Sequence, residues 1–314
     1  MLVYLLFCLG LVLLLVGGDL LVRGAVGLAE KFGISPLIIG LTIVALGTSA
    51  PELLISLQAA LAGSGELAVG NVVGSNIANV LLVLGVPAIL SRITSQDDSI
   101  HSTLFFLLGL TAIFMWQMAS GPLTRTDGFL LLIFLAAFLT QQFVHARRGK
   151  EPSDDYHDEI GSVPASNWII AALLLAGIVA LPLGANFTVD ASVEIARRWM
   201  VPEEVIGLTI VAIGTSLPEL ATGVMAARHN NASVAIGNVV GSNFFNIAAI
   251  MGATAFVAGD VAVGAHIIGF DMWVMLAATL VLMALPLFNL SLGRKSGLLL
   301  IGSYAAYLIA TAAI

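Results

Sequence analysis

Long apolar stretches separated by short polar breaks run along the whole chain. Charged residues, glycine and proline divide them into ten segments, near 2–28, 35–61, 66–90, 102–118, 126–146, 166–192, 202–227, 233–258, 266–287 and 294–313. A helix needs ~20 apolar residues to cross a hydrocarbon core roughly 30 Å thick, and most of the ten segments come close to that length. The pattern therefore predicts an all-α polytopic membrane protein with ten transmembrane helices.

The composition supports this fold class and argues against several functions. The 314 residues are 59% hydrophobic and 10% charged, whereas soluble domains carry about 25% charged residues. A net charge of −7 argues against nucleic acid as a partner. Cys8 is the single cysteine, so an intramolecular disulfide is impossible. The first apolar stretch lacks a positive flank, which predicts a retained span rather than a cleaved signal peptide.

The distribution of lysine and arginine predicts the orientation of the chain. Loops after even-numbered spans hold three of the twelve, Arg125, Arg197 and Arg198. Loops after odd-numbered spans hold the other nine: Arg23, Lys31, Arg92, Arg147, Arg148, Lys150, Arg228, Arg294 and Lys295. Cytoplasmic loops carry the excess of positive charge. We therefore expect a multi-pass protein of the cell (inner or plasma) membrane with odd-numbered loops in the cytoplasm and both termini outside.

The chain also repeats itself at an offset of 167 residues. Residues 40–79 and 207–246 are identical at 23 of 40 positions without a gap, and both copies contain GTSxPE and GNVVGSN. Five spans separate the copies, an odd number, so the copies cross the membrane in opposite senses. The repeat predicts two inverted five-helix halves, 1–148 and 166–314, joined by an acidic cytoplasmic loop at 149–165. Transporters built in this way have their site near the midplane, where the repeats meet.

The GTSxPE motif places polar groups inside an apolar segment. Pro51 has no N–H, so the carbonyl of Gly47 loses its intrahelical donor. Thr48 and Ser49 stand four and three residues before Glu52 and share its helix face. Carboxylate, hydroxyls and carbonyl together form a cluster of oxygen ligands, and ionisable groups inside membranes are functional by default. The second copy supplies the same set: Gly214, Thr215, Ser216 and Glu219.

The following span in each half adds a polar stripe. Its polar residues recur every four positions and share one helix face: Asn71, Ser75 and Asn79 in the first copy, and Asn238, Ser242 and Asn246 in the second. Small residues at such spacing also let helices approach closely. We favour that packing role for the glycines: Gly70, Gly74, Gly237 and Gly241. We favour ion ligation for the serines and the last asparagines: Ser75, Asn79, Ser242 and Asn246.

The available ligands favour a hard cation. All of them are oxygen donors, whereas zinc and copper prefer cysteine and histidine, and the five histidines fall in loops or at span ends. Ca²⁺ accepts 6–8 oxygens in irregular geometry, while Mg²⁺ demands an octahedron, although a Mg²⁺ or Mn²⁺ exchanger would look almost the same in sequence. Two buried carboxylates without a cation would repel each other and take up protons. The site should therefore always hold a positive ion, as in an exchanger.

Both motifs resemble those of the calcium/cation antiporter superfamily and are most similar to its prokaryotic sodium/calcium exchanger branch. The resemblance covers nearly the whole chain and implies alternating access, with spans one and six sliding against the other eight. It implies a Ca²⁺ site made chiefly by Glu52 and Glu219, with backbone carbonyls at Thr48 and Thr215. It also implies flanking Na⁺ sites that use Ala45, Ser49, Ser75, Ala212, Thr215, Ser216 and Ser242.

One position departs from the family's pattern. In many sodium/calcium exchangers the last residue of the second GSNxxN motif is aspartate, whereas this chain has Asn246, which matches Asn79. The four central positions then carry two formal charges rather than three. This departure counts against potassium co-transport and leaves the stoichiometry and the coupling ion open.

The sequence therefore predicts a secondary antiporter, not an enzyme, that exchanges Ca²⁺ for Na⁺ at one midplane site. An H⁺-coupled antiporter of Ca²⁺ or another divalent cation is the main alternative, because two buried glutamates are plausible proton carriers. A cation channel with the carboxylates as a selectivity ring is less favoured. An intramembrane hydrolase would need a nucleophile paired with histidine at membrane depth. The expected partners are the lipid bilayer and the transported ions, with no cofactor and no obligate protein partner.

Overall fold

The computed structural model describes residues 2–94, 99–148, 166–200 and 212–313. Within these ranges the regular structure is helical, apart from two isolated β-bridges. In chain order the helices are α1 (Leu2–Phe32), α2 (Pro36–Thr48), α3 (Ala50–Leu61), α4 (Gly65–Leu90), α5 (Ile100–Ser120), α6 (Arg125–Arg147), α7 (Asn167–Arg198), α8 (Ala212–Gly214), α9 (Leu217–Arg228), α10 (Ala232–Ala258), α11 (Ile267–Leu287) and α12 (Arg294–Ala312).

Nine of the ten predicted spans are confirmed in the described part of the chain. Eight helices there are long and apolar enough to cross a membrane, and the bent pair α2 and α3 makes a ninth span. The predicted span 202–227 includes residues outside the described ranges, so it stays a prediction; α8 and α9 form its described part. The acidic loop 149–165 also lies outside those ranges.

Two helices continue beyond the predicted ends of their apolar segments. α1 reaches Phe32 rather than residue 28, and α7 reaches Arg198 rather than residue 192. Both carry basic residues in the last turn, where cations interact favourably with the helix dipole. Hydropathy predicts only the apolar segment of each helix. The helix itself extends further because the basic residues in its last turn interact favourably with the C-terminal end of the helix dipole.

Spans one and six, α1 and α7, form a closely packed pair. A methyl group on Gly10 of α1 would lie 2.9 Å from the carbonyl oxygen of Gly184, and one on Gly24 would lie 2.9 Å from Leu174 Cγ. Gly17, midway between these glycines, is equally crowded by α7. Later residues of α1 meet earlier residues of α7, so the helices are antiparallel. Small residues at seven-residue spacing bring the two backbones together, as in other membrane helix pairs.

The two helices that carry GNVVGSN lie at the centre of the protein. In its most apolar stretch, α10 has 94% of its residues buried and α4 has 78%, against 17% for α6 and α12. The central helices touch where Asn243 Nδ2 donates to the backbone oxygen of Asn76 at 3.3 Å. These two asparagines are 167 positions apart, and we call residues so related counterparts.

The two β-bridges join loops at the ends of the helices. Ile93 pairs with Leu292 through two backbone hydrogen bonds of 2.9 Å, and Leu123 pairs with Val261 through two more of 2.9 Å. The first bridge joins the loops after spans three and nine, and the second joins those after spans four and eight. Each bridge therefore connects loops of the same parity, as loops on one side of a membrane must be.

Candidate functional site

The GTSAPE motif breaks the second span near the middle of its length. The axes of α2 and α3 differ by 47°, and Ser49 at the break has φ −87° and ψ 6°. Pro51 lies in the first turn of α3, where its missing N–H is tolerated. The break puts Glu52 in the first turn of the new helix, 1% exposed. The structure thus confirms the interrupted helix predicted from the motif.

The second copy builds the same break. Ser216, the counterpart of Ser49, has φ −88° and ψ 6° between α8 and α9. Glu219 lies in the first turn of α9 and is also 1% exposed. The backbone angles of the two serines agree within 1°, so each motif presents its glutamate from an equivalent turn.

The two copies meet at these breaks. The Ser49 hydroxyl, from the first copy, donates to Glu219 Oε1 at 3.1 Å. The neighbouring Thr48 hydroxyl donates to Asn238 Oδ1 of the second copy at 3.2 Å. Glu52 and Glu219 are close enough to interact electrostatically. The motifs, 167 residues apart in sequence, therefore form one shared polar site inside the bundle.

The first asparagines of the polar stripes hold the backbone of the glutamates. Asn71 Nδ2 donates to the carbonyl oxygen of Glu52 at 3.4 Å, and Asn238 Nδ2 donates to that of Glu219 at 3.4 Å. Asn71 Nδ2 also donates to Ser56 Oγ at 2.9 Å. Sequence reasoning placed these asparagines on the polar face, but this role depends on the approach of a neighbouring helix.

The last asparagines of the stripes each begin a π-helical turn. The turns are Asn79–Val83 in α4 and Asn246–Met251 in α10, and both asparagines are 1% exposed. Such turns within α-helices are rare and occur often at functional sites. Their recurrence at counterpart positions links the widened backbone to the two central residues of the predicted site.

Several buried oxygens around the breaks have no hydrogen-bond partner among the described residues. They belong to both copies: Glu52 Oε2, Glu219 Oε2, Asn79 Oδ1, Asn246 Oδ1, Ser216 Oγ and Ser242 Oγ. Leaving such a group unpaired costs about 1–3 kcal/mol, and more for a charged one. Carboxylate and amide oxygens are ligands for hard cations. Among the described residues no group of three or more His, Cys, Asp or Glu side chains could hold a metal ion, so the site has two carboxylates and otherwise neutral oxygens.

The other predicted ligands lie on the same elements. Ala45 and Ser75 are buried, at 0% and 4% exposed, on α2 and α4. Thr215 is half-buried just before the second break, and Ala212 begins α8. Ser242 is fully buried on α10. The structure thus gathers the predicted residues around the two breaks, while their function as ligands stays a prediction.

Two of the four glycines predicted to allow close packing do so. A methyl group on Gly237 would lie 2.6 Å from the Leu37 carbonyl oxygen, and one on Gly241 would lie 2.5 Å from that of Leu41. α10 therefore packs directly against the backbone of α2. Counterparts of these α2 residues fall within 204–212, largely outside the described ranges, so the same role for Gly70 and Gly74 stays a prediction.

Comparison with known proteins agrees with this geometry. The family described as sodium/calcium exchanger protein matches residues 2–144 and 169–312. The chain belongs to the sodium/calcium exchanger family. The putative antiporter CaxA of Alkalimonas amylolytica is 39% identical over 310 residues, 95% of each chain. The sodium/calcium exchanger MaX1 of Methanosarcina acetivorans is 32% identical over 345 residues, 98% of this chain and 97% of the relative. A solved structure of the sodium-calcium exchanger NCX_Mj, soaked with 2.5 mM Na⁺ and 0.1 mM Ca²⁺, matches with a TM-score of 0.84 and 29% identity over 98% of each chain.

Family membership confirms the resemblance inferred from GTSxPE and GNVVGSN. It makes the protein a multi-pass membrane antiporter of a family of calcium and other cation transporters, which is not an enzyme family. For such a transporter, a site built from both copies at the helix breaks is the place where the transported ion is expected to bind.

Two polar pairs of this exchanger were missed by sequence reasoning. Asp271, 6% exposed in α11, accepts a hydrogen bond from the Tyr307 hydroxyl of α12 at 3.0 Å. Asp19 of α1 lies 2.6 Å from His229 Nε2 at the end of α9, and 3.7 Å from Arg23. The available signal was a single aspartate within an apolar segment in each case, but its partner could not be named without the packing.

Proposed function

We propose that this exchanger moves Ca²⁺ in exchange for Na⁺ by alternating access at one site between Glu52 and Glu219. One observation carries the proposal: the two carboxylates come from opposite copies, Ser49 of the first copy donates to Glu219 of the second, and each carboxylate keeps a buried oxygen without a partner among the described residues. Two negative charges balance one divalent cation or two monovalent ones. Ca²⁺ and Na⁺ then compete for the same charges, and this competition couples their movements.

The ligands are assigned by chemistry and position. Glu52 and Glu219 bind Ca²⁺ with the backbone carbonyls of Thr48 and Thr215, which border the helix breaks. Asn79 and Asn246 contribute amide oxygens at the centre. The flanking Na⁺ sites use carbonyls and hydroxyls: Ala45, Ser49, Ser75, Ala212, Thr215, Ser216 and Ser242. Burial of the described members of this set supports the assignment, because a dehydrated ion needs surrounding oxygens in place of water.

The site belongs to two inverted halves, 1–148 and 166–314, with ten spans in all. Support comes from features that recur at the 167-residue offset: the backbone angles of Ser49 and Ser216, the amide bonds of Asn71 and Asn238, and the π-turns of α4 and α10. The two loop bridges add further support, since a two-fold axis in the membrane plane would put one at each surface.

The halves differ in how tightly they are covered, which supports alternating access. Met225 of α9 is 7% exposed because Gly18 of α1 packs over it, whereas its counterpart Gln58 in α3 is exposed. One half is therefore closed by a long helix and the other is open. If the paired helices α1 and α7 slide, the half that is now closed opens and the half that is now open closes. With odd-numbered loops in the cytoplasm and both termini outside, the present arrangement faces outward in the cell membrane.

The test is ⁴⁵Ca²⁺ uptake by proteoliposomes loaded with Na⁺ and diluted into Na⁺-free or Na⁺-matched buffer. We expect uptake only under the outward Na⁺ gradient, and its loss in Glu52→Gln and Glu219→Gln. Glu66→Gln, which changes an exposed carboxylate outside both motifs, is the matched control and should transport normally. Uptake that ignores Na⁺ but follows a pH gradient would make H⁺ the coupling ion. Intact uptake in both site variants would overturn the proposed site.

A further inference from the structure

The two copies share their sequence at the breaks but not their hydrogen bonds. Both hydroxyls of the first copy reach the second. Thr48 Oγ1 lies 3.2 Å from Asn238 Oδ1, slightly closer than the 3.3 Å to the Ala45 carbonyl oxygen of its own helix, and Ser49 donates to Glu219 at 3.1 Å. Among the described residues no hydroxyl of the second copy donates to the first in return. Ser216 Oγ, the counterpart of Ser49 Oγ, is buried and has no partner within the described ranges.

Asn71, the asparagine of the first copy, has a hydrogen-bond partner that its counterpart Asn238 lacks. Asn71 Nδ2 donates to Ser56 Oγ at 2.9 Å as well as to the carbonyl of Glu52. The counterpart of Ser56 is Gly223, which has no side chain, so Asn238 has no equivalent bond. Asn238 instead accepts from Thr48. Each asparagine thus binds the backbone of its own glutamate and takes a different second partner.

The hydrogen bonds and the helix packing are asymmetric in the same structure. The half whose Met225 is covered by α1 is also the half whose Asn238 and Glu219 receive the crossing hydroxyls. The open half, with Gln58 exposed, contains the asparagine bound to Ser56. Since the copies are inverted, the opposite-facing state is obtained by exchanging which copy receives the crossing hydroxyls.

We propose that Asn71 and Asn238 are positioning residues that alternate in accepting a crossing threonine hydroxyl as the transporter changes the side it faces. In the opposite state the Thr215 hydroxyl donates to Asn71 Oδ1, the Ser216 hydroxyl donates to Glu52, and the Thr48 and Ser49 bonds to the second copy break. The inference rests on the proposed exchange by alternating access and goes further, because it names the polar contacts that distinguish the two states.

The exchange gives each state a different ligand set. A hydroxyl donates a single hydrogen, so the glutamate held by a serine has one oxygen engaged in a bond that the other glutamate does not make. Since each asparagine also donates to the carbonyl of its glutamate, a change of its second partner acts on the backbone at the break. Ion binding and helix movement are thereby linked through six side chains that lie outside the pair of carboxylates: Thr48, Ser49, Asn71, Thr215, Ser216 and Asn238.

The test compares Thr48→Val with Thr215→Val, which remove only a hydroxyl from counterpart positions and keep the backbone carbonyls. Two cysteine reporters, Met225→Cys and Gln58→Cys, are introduced separately on a Cys8→Ala background. Labelling of purified protein by a charged thiol reagent then measures which half is open.

The two variants should shift labelling in opposite directions. Thr48→Val should raise the rate at position 225 and lower it at 58, so that the ratio of the two rates changes about fivefold for one lost hydrogen bond. Thr215→Val should do the reverse, since it weakens the other state. Thr48→Ser keeps the hydroxyl and should label as the background protein does.

Equal or same-direction shifts in the two valine variants would overturn the proposal while leaving exchange itself intact. Failure of the proposed function is a separate result, because it appears as absent Na⁺-driven uptake in the unaltered protein. If Thr48→Val fails to fold, Thr215→Val alone still tests the inference through slower labelling at position 225. Unchanged labelling there would count against it.

Discussion

Gly241 offers a sensitive test of how closely the two copies must approach. It lies on α10 next to Ser242, where a methyl group would be 2.5 Å from the Leu41 carbonyl oxygen and 2.7 Å from Ala45 Cβ. Ordinary contact begins near 3.4 Å, so Gly241→Ala requires a separation of about 0.9 Å. The obstructing oxygen belongs to the backbone of a π-helical turn, Gly40–Val44, and cannot move aside by changing rotamer.

The expected cost has a structural and a functional part. Overpacking of this kind destabilises by about 1–3 kcal/mol, which should lower the melting temperature in detergent by several degrees. Ala45, a proposed Na⁺ ligand through its carbonyl, moves with α2. A displacement of ~1 Å at a site of this kind can lower the rate on the order of 100-fold. We therefore expect the loss of Na⁺-dependent ⁴⁵Ca²⁺ uptake to be larger than the loss of stability.

Gly109→Ala is the matched control, because a methyl group at that position in α5 would meet no described atom within 4 Å outside its neighbouring residues and its own helix backbone. A helical glycine replaced by alanine without a clash gains about 0.5–1 kcal/mol, so this variant should be as stable as the unaltered protein or more so. Unchanged melting and unchanged Na⁺ dependence in Gly241→Ala would refute the claim that close contact between α10 and α2 sets the site geometry.

Three further substitutions test charge at the site and away from it. Asn246→Asp should tighten Ca²⁺ binding by ~10-fold or more, since affinity rises with the number of charged ligands. Asn79→Asp should act in the same direction. Weaker Ca²⁺ binding of either variant in equilibrium titrations would count against a central role for these positions. Asp19→Asn removes the ionic contacts of Asp19 with His229 and Arg23. The side chains of Asp19 and His229 are 28% and 26% exposed, so the melting temperature should fall by an amount equivalent to less than ~1 kcal/mol. Loss of Ca²⁺ binding in that variant would mean that Asp19 belongs to the site.

Much of the architecture could be predicted because the membrane imposes a simple rule on the sequence. Every span must be apolar over about 20 residues, so hydropathy predicted ten spans, nine of which are confirmed in the described residues. The break at Ser49 was also predictable, since Pro51 removes a specific hydrogen-bond donor. The repeat then predicted that Glu52 and Glu219 belong to one site, because a polar motif that occurs twice within apolar segments indicates a shared function.

The contacts between copies could not be predicted for a related reason. Thr48 and Thr215 stand in the same local sequence, yet Thr48 alone donates to an asparagine of the other copy in the described part of the structure. Sequence symmetry does not encode which of two states is adopted. The bond between Asp271 and Tyr307 depends on how α11 and α12 are rotated, and hydropathy carries no information on that rotation.

Equilibrium binding of ⁴⁵Ca²⁺ to the purified protein at increasing Na⁺ concentrations tests the central claim most directly. One shared site between Glu52 and Glu219 predicts a single Ca²⁺ bound per chain, complete displacement by Na⁺, and loss of binding in both Glu52→Gln and Glu219→Gln. Ca²⁺ binding that is insensitive to Na⁺, or that survives in either glutamine variant, would contradict it.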